Sequence, residues 1–426
     1  MAQLRREVGL AGAVLMGLGS IIGTGVFVSI GLGAELAGPA VLLAILLAAF
    51  VAAANGLSSA QLAASHPVSG GTYEYGYQYL NPALGFTAGW MFLCAKSASA
   101  ATAALGFSGY LLNLLGIQQP AARVVIAVAV VAVLTAIIGR GIRSSNRTNT
   151  VIVSLTLAAL LFFVLAGLPG ALANAAANLT PFFAPQTGEG SWQAVLHATA
   201  LMFVAYTGYG RIATLGEEVH DPRRTIPTAI ITALVVTMLL YVAVGFTGVA
   251  YVGAEEYAAL THRTAAPLEA IAEQFGIPGS GLILAVGAMT AMLGVLLNLI
   301  LGLSRVLLAM GRRRDMPPAV ATIDEARSTP TVAVLVMGVA VALLALVGSV
   351  KVTWSFSAFT VLVYYAITNL AALRLPADRR LYPRLIAWAG LAACLFLAFW
   401  VEPVYWLAGL GLIALGLLWH YSHIFR

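Results

Sequence analysis

The chain has 426 residues, of which 61% are hydrophobic and only 9% charged, and its mean hydropathy is +0.94. Soluble domains carry about 25% charged residues, so the composition excludes an ordinary soluble protein and points to a polytopic membrane protein with no soluble domain inserted. The net charge of +6 comes from basic residues in short loops and is not a nucleic-acid signature. Cys94 and Cys394 lie in apolar segments and suggest neither a disulfide framework nor a metal site.

The N-terminus, MAQLRREVGL, places arginines before an apolar stretch, as a signal peptide does. That stretch is too long for a signal-peptide core, so it reads as the first span. A span needs roughly 20 apolar residues. Twelve candidates follow, at about 10–36, 40–64, 83–114, 121–139, 149–168, 191–216, 228–252, 280–310, 331–349, 353–373, 384–400 and 403–421. With both termini inside, sixteen arginines fall in inside loops, and only Arg123, Arg263 and Lys351 fall outside. Lys96, Arg211 and Arg305 lie within spans. This asymmetry supports twelve spans with both ends cytoplasmic.

Span 1 contains GLGSIIGTGVFVSIG, residues 17–31, with Gly17, Gly19, Gly23 and Gly25 crowded into its middle. Each glycine inside a helix costs on the order of 1 kcal/mol relative to alanine. The segment is therefore expected to break near Ile22 to Gly25 and to offer backbone N–H and C=O groups to a small polar solute. A membrane tolerates such groups where a broken helix lines a cavity. Close helix packing through small residues is the competing reading.

The loop HPVSGGTYEYGYQYLNP, residues 66–82, has turn formers followed by interfacial tyrosines, and reads as a cytoplasmic loop with a short interfacial helix. Span 6 repeats the oddity of span 1 in FVAYTGYGR, Phe203 to Arg211. Each interrupted span opens a unit of five spans, 1–5 and 6–10, so the second unit enters the membrane in the opposite sense. Paired interruptions in corresponding positions of two halves point to a transporter binding site. The segment GEEVHDPRRTIPTAI then ends the helix at Asp221-Pro222, and span 8 leaves through LSRVLLAMGRRRDMPP. A gate ion pair between Glu217 or Glu218 and Arg5 or Arg6 competes with plain interfacial solvation. Spans 11 and 12 fall outside the five-plus-five scheme and read as a peripheral or oligomer-forming pair.

Four stretches together resemble the amino acid–polyamine–organocation (APC) superfamily. GSIIGTGVF at 19–27 resembles its first-helix glycine signature, and FVAYTGYG at 203–210 its sixth-helix core. EEVHDPRRTIPTAI at 217–230 is similar to the segment after that helix, and SRVLLAMGRRRDMPP at 304–318 to the end of the eighth helix. The bacterial relatives of cationic amino acid transporters look closest. The resemblance implies an all-α, LeuT-like fold of twelve helices with helices 1 and 6 broken. The chain would form one transporter domain. Its inverted repeats would lie at about 10–168 and 191–373, with accessory helices at about 384–421. It also implies amino acids or related amines as substrates.

The chemistry of an amino acid suits such breaks. Its carboxylate is met by the N–H groups that open a half-helix, aided by the helix dipole, and Thr24, Gly25 and Val26 stand there. Its ammonium is met by the free carbonyls that close a half-helix, for which Ile21, Val204 and Thr207 are candidates, beside Gly208 at the second break. Phe203 and Tyr206 flank that break, and the resemblance implies that an aromatic there closes over the substrate. Each reads equally as an ordinary core aromatic.

Lys96 is one of only two lysines and lies inside span 3. Ionisable groups at membrane depth cost roughly 2.5–3.5 kcal/mol on insertion scales and by default mark function. Lys96 is open to three roles: exchanging a coupling proton, standing in for a sodium ion, or binding an acidic substrate. Snorkelling to an interface is the structural alternative. Some relatives carry a lysine in span 5 where this chain has Thr156, so Lys96 could take that role. Alternatively Ser154 or Thr156 could coordinate sodium with oxygens. Proton coupling is favoured, with sodium coupling and plain exchange as alternatives.

No P-loop appears, so ATP is not the direct energy source. The histidines lack metal-ligand spacing, no cofactor is expected beyond a coupling proton or sodium ion, and no clustered constellation suggests an enzyme. A channel or a transporter-like sensor is disfavoured by the lack of a repeated pore lining and of an appended domain. A polyamine substrate would want acidic residues that the spans hardly offer. The expectation is a secondary amino acid transporter of a bacterial inner membrane, in contact with lipid, moving neutral or apolar amino acids by alternating access.

Overall fold

The computed structural model describes residues 8–67, 70–117, 119–141, 146–186, 188–213, 219–324 and 329–424. Among them the chain is helical, with only isolated bridges pairing Val8 with Val219 and Asp324 with Thr329. Arg5, Arg6, Glu217 and Glu218, and so the expected gate ion pair, lie outside the described residues.

The first apolar segment is split into α1 (Leu10–Ile21), a π-helical turn (Gly25–Ser29) and α2 (Ile30–Ala37). Next come α3 (Val41–Ser65), the short α4 (Thr72–Tyr79), α5 (Pro82–Leu114), α6 (Pro120–Gly139) and α7 (Asn146–Asn178). The second divided segment is α8 (Ser191–Tyr206), a 3₁₀ turn (Thr207–Tyr209) and α9 (Gly210–Ala213). Beyond it run α10 (Pro222–Val252), the short α11 (Ala254–Thr264) and α12 (Pro267–Ala272), then α13 (Ser280–Arg312) and α14 (Thr331–Ala345). The chain closes with α15 (Val350–Leu373), α16 (Arg384–Ala398) and α17 (Pro403–Ile424).

Among the described residues, seven helices are long and apolar enough to cross a bilayer. Their outer faces carry side chains such as Phe50 and Leu165, each 70% exposed. A soluble protein cannot display so large an apolar surface; a bilayer covers it. This is an integral membrane protein. Inside, α5 packs against α13 and α15, while α10 packs against α3 and α7. The buried face of α5 is built of small residues, nearly without a break from Ala95 to Gly106. Small side chains let helix backbones approach where apolar surface gains nothing over lipid.

Polar locks sit at the two ends. At the arginine-rich end, Asp315 accepts hydrogen bonds from the Tyr73 and Tyr77 hydroxyls, each at 2.7 Å. His420 Nδ1 lies 3.2 Å from the same carboxylate, and the Asp315 carbonyl accepts from Trp419 Nε1 at 2.9 Å. The Arg313 guanidinium lies over the Tyr77 ring and pairs with Glu74 at 2.6 Å. The cluster ties α4, the exit of α13 and α17 together. At the other end, Glu35 accepts from Lys351 and faces His262, both at 2.9 Å, joining α2, α15 and α11.

Two outcomes follow from these buried polar groups. Replacing Asp315 by Ala leaves two tyrosine hydroxyls and His420 without their acceptor. At about 1–3 kcal/mol for each unsatisfied buried group, the melting temperature of the detergent-solubilised protein falls by several degrees, and Asp315→Asn falls less. Glu269 is fully buried on α12, between the long apolar helices. Burial pushes its carboxyl up to about 8, with Asn113 opposing and Glu273 reinforcing the shift. A carboxyl raised on folding favours the folded state below its unfolded value near 4.5 and loses that contribution as pH climbs toward 8. Thermal melts from about pH 5 to about pH 9 therefore show declining stability, and Glu269→Gln flattens the decline.

Candidate functional site

The two interruptions meet. In the first, Ile22 leaves helical geometry with ψ 107, and its N–H closes α1 on the Leu18 carbonyl at 2.8 Å. Val26 and Phe27 N–H then both reach the Gly23 carbonyl at 3.2 Å, starting the π-helical turn. In the second, α8 tightens into the 3₁₀ turn at Thr207. The turns touch backbone to backbone. A Cβ on Gly208 would stand 2.1 Å from the Ser20 carbonyl oxygen, and one on Gly25 would stand 2.6 Å from the Ala205 Cβ. Glycine is required at both positions because the opposing chain occupies the space.

The carbonyls that α1 and α8 leave behind are met by side chains of other helices. The Tyr241 hydroxyl of α10 lies 3.1 Å from the Ile21 carbonyl and 3.2 Å from that of Ala205, bridging both breaks. Tyr365 of α15 donates to the Thr207 carbonyl at 3.2 Å. Thr207 Oγ1 donates to the Val204 carbonyl at 2.8 Å and accepts from Lys96 Nζ at 2.8 Å. Lys96 Nζ also lies 3.5 Å from the Thr207 carbonyl. The lysine is 93% buried by side-chain packing, only 7% exposed, so it points inward and does not snorkel.

A cavity of about 870 Å³ surrounds this junction. Its wall includes Ile21, Thr24, Gly25, Lys96, Val204, Thr207 and Gly208. The lining continues past Arg211, Asn298 and Arg305 to Glu74, Arg312 and Arg313, at the arginine-rich end. Thr24 Oγ1 is buried in this wall without a hydrogen-bond partner among the described residues. Val295 and Trp354 add apolar surface beside the breaks.

Five residues singled out in the sequence do not line the cavity. Val26 is fully buried, and its N–H is engaged by Gly23. Phe203 is fully buried and meets Tyr365 edge-on at 5.7 Å. Tyr206 turns away, donating to the Ile45 carbonyl at 3.2 Å and lying against Tyr241. Ser154 lies on an exposed face of α7, whereas Thr156 is buried and returns its hydroxyl to the Ile152 carbonyl at 2.8 Å. Positions two apart on a helix do not share a face, so Ser154 and Thr156 point to different surroundings. Tyr241, Tyr365 and Trp354 were not singled out. A single aromatic in an apolar span reads as core, and no local sequence signal distinguishes these three.

The amino acid permease family profile matches residues 12–426, nearly the whole chain. An uncharacterized transporter of Mycobacterium tuberculosis is 41% identical over 97% of this chain and 90% of its own length. The branched-chain amino acid permease BcaP of Bacillus subtilis is 30% identical over 80% of this chain and 74% of its own. The methylthioribose transporter of the same organism is 30% identical over 77% and 72%. The chain belongs to the amino acid permease family of the APC superfamily. It is a transporter and not an enzyme, of the family described as amino acid permeases.

The Gly208→Ala variant tests the junction. A methyl group there meets backbone atoms, which cannot yield as a flexible side chain can. Uptake of a mixture of radiolabelled amino acids by cells falls at least about tenfold, equivalent to about 1.4 kcal/mol, while the amount of protein in the membrane fraction is maintained.

Proposed function

We propose that the protein is a secondary active transporter that moves neutral, apolar amino acids by alternating access, coupled to protons through Lys96. The observation that carries the reading is the seating of the Lys96 ammonium on Thr207, where the two helix interruptions meet. Charge-assisted hydrogen bonds are about twice as strong as neutral ones. Loss of the lysine proton weakens the hold on Thr207 and removes a charge from the cavity, so proton load and the geometry of the second interruption change together.

The substrate class is supported by the wall. An α-carboxylate is received by the backbone and the unpartnered Thr24 hydroxyl at the start of the π-helical turn. An apolar side chain is received by Val295, Trp354 and Ala205. The name of the branched-chain permease relative agrees with this class. The methylthioribose relative adds that sugar to the substrates worth testing. In this scheme both termini are cytoplasmic, the twelve expected segments all span, and units 10–168 and 191–373 form an inverted pair. The cavity then faces the cytoplasm.

Purified protein in proteoliposomes, given a panel of amino acids and methylthioribose, provides the test. An inward proton gradient drives accumulation of apolar amino acids in the wild type, and a sodium gradient does not. Lys96→Ala loses the gradient-driven accumulation and retains counterflow exchange. Unchanged proton-driven accumulation in Lys96→Ala returns the lysine to a structural role. Accumulation that follows sodium alone replaces proton coupling with sodium coupling.

A further inference from the structure

A second cavity, of about 520 Å³, lies where α15 gives way to α16 at the arginine-rich end. The volume is many times the roughly 30 Å³ that a water takes in the liquid. Its wall combines Arg374, Arg380 and Arg384 with Leu370, Leu373 and Trp388. The segment 374–384 carries four arginines and one carboxylate, Asp378. Among the described residues, no ion pair engages Arg374, Arg380 or Arg384. Arg380 spends its Nε on the Leu375 carbonyl at 2.8 Å, which fixes the stem of its guanidinium at the rim.

Basic residues at the ends of spans are usual, and a solvated arginine needs no ligand. Here the arginines converge on one concavity, and the apolar part of its wall faces outward. Trp388 of the wall is 56% exposed, and Leu385 beside Arg384 is 76% exposed. Trp388 stands four residues after Arg384 on α16, so both lie on one face. The cationic rim therefore continues into a tryptophan of the kind that marks the level of lipid headgroups. The N-terminus of the 15-residue α16 adds the positive end of its dipole.

We propose that this cavity binds an anionic membrane phospholipid, with the headgroup phosphate on Arg374, Arg380 and Arg384 and an acyl chain along Leu373 and Trp388. Guanidinium groups match phosphate oxygens in charge and in planar, two-point geometry. Basic pockets beside membrane helices suit such headgroups. A zwitterionic lipid brings an ammonium or choline group that three unpaired guanidinium groups repel. A soluble phosphate shares the headgroup chemistry and leaves the Leu373 and Trp388 surface uncovered.

The experiment uses the full chain in nanodiscs of zwitterionic lipid, doped with brominated-acyl phosphatidylglycerol or brominated-acyl phosphatidylcholine. Bromine quenches tryptophan on contact, and Trp388→Phe identifies the contribution of Trp388. Phosphatidylglycerol reaches half-maximal quenching of that contribution at a mole fraction lower by about tenfold or more. Substituting all three arginines by glutamine erases the difference. Equal quenching by the two lipids overturns the proposal, and this wild-type comparison stands even if the triple variant does not fold. Loss of the preference on adding millimolar glycerol 3-phosphate also overturns it, in favour of a soluble anion.

Discussion

A backbone group that leaves its helix inside a membrane must find another partner, because lipid supplies none. The two interruptions at Ile22 and Thr207 create that demand in one place. Tyr241 meets it on two carbonyls at once, and Tyr365, Lys96 and the Thr207 hydroxyl meet the rest. An unsatisfied buried polar group costs about 1–3 kcal/mol, so leaving several unmet would consume a large part of the stability of any domain. The junction exists because helices α5, α10 and α15 each send a donor to it. Their packing places those donors.

This arrangement explains which parts were legible in the sequence. The first interruption was visible because four glycines inside an apolar run contradict helix propensity. The second was weaker, resting on Gly208 and Gly210, and it gained force only from the first. Lys96 stood out because an isolated charge in an apolar segment is costly. Its pairing with Thr207 could not be read, since the two are 111 residues apart in sequence. Tyr241 was illegible for a related reason. Its role depends on helices crossing in space, and a tyrosine in an apolar span looks the same whether it donates to lipid-facing backbone or to a broken helix. Ser154 and Thr156 show what helical phase adds to residue type. Their oxygen atoms made both attractive as ligands, but helical phase puts one outside and the other on its own backbone.

The polar locks at the two ends differ in strength, and that difference bears on motion. Asp315 is 7% exposed and serves two tyrosines and a histidine, so breaking its cluster strands several buried groups. Glu35, Lys351 and His262 are partly exposed, with side chains 23%, 29% and 48% accessible. Pairs of that kind contribute about 0–1 kcal/mol each. The Tyr110 hydroxyl adds a buried bond of 2.7 Å to the Phe27 carbonyl beside the first interruption. That bond joins α5 to the π-helical turn, so separating α2 from α11 and α15 sacrifices partly exposed ion pairs, whereas separating α4 from α13 and α17 sacrifices a buried cluster.

A ligand shifts an equilibrium between two shapes only by its difference in affinity for them. In the transport cycle proposed above, weak locks at the Glu35 end would keep that requirement within reach of a molecule as small as an amino acid, which offers one carboxylate, one ammonium and a modest apolar surface. A buried cluster like that of Asp315 at both ends would demand more than such a ligand provides. The cluster instead ties α4, α17 and the end of α13 together at the arginine-rich end, away from the divided segments α1–α2 and α8–α9. At the junction itself, the bonds from Tyr241 of α10 and Lys96 of α5 tie those divided segments to the helices around them.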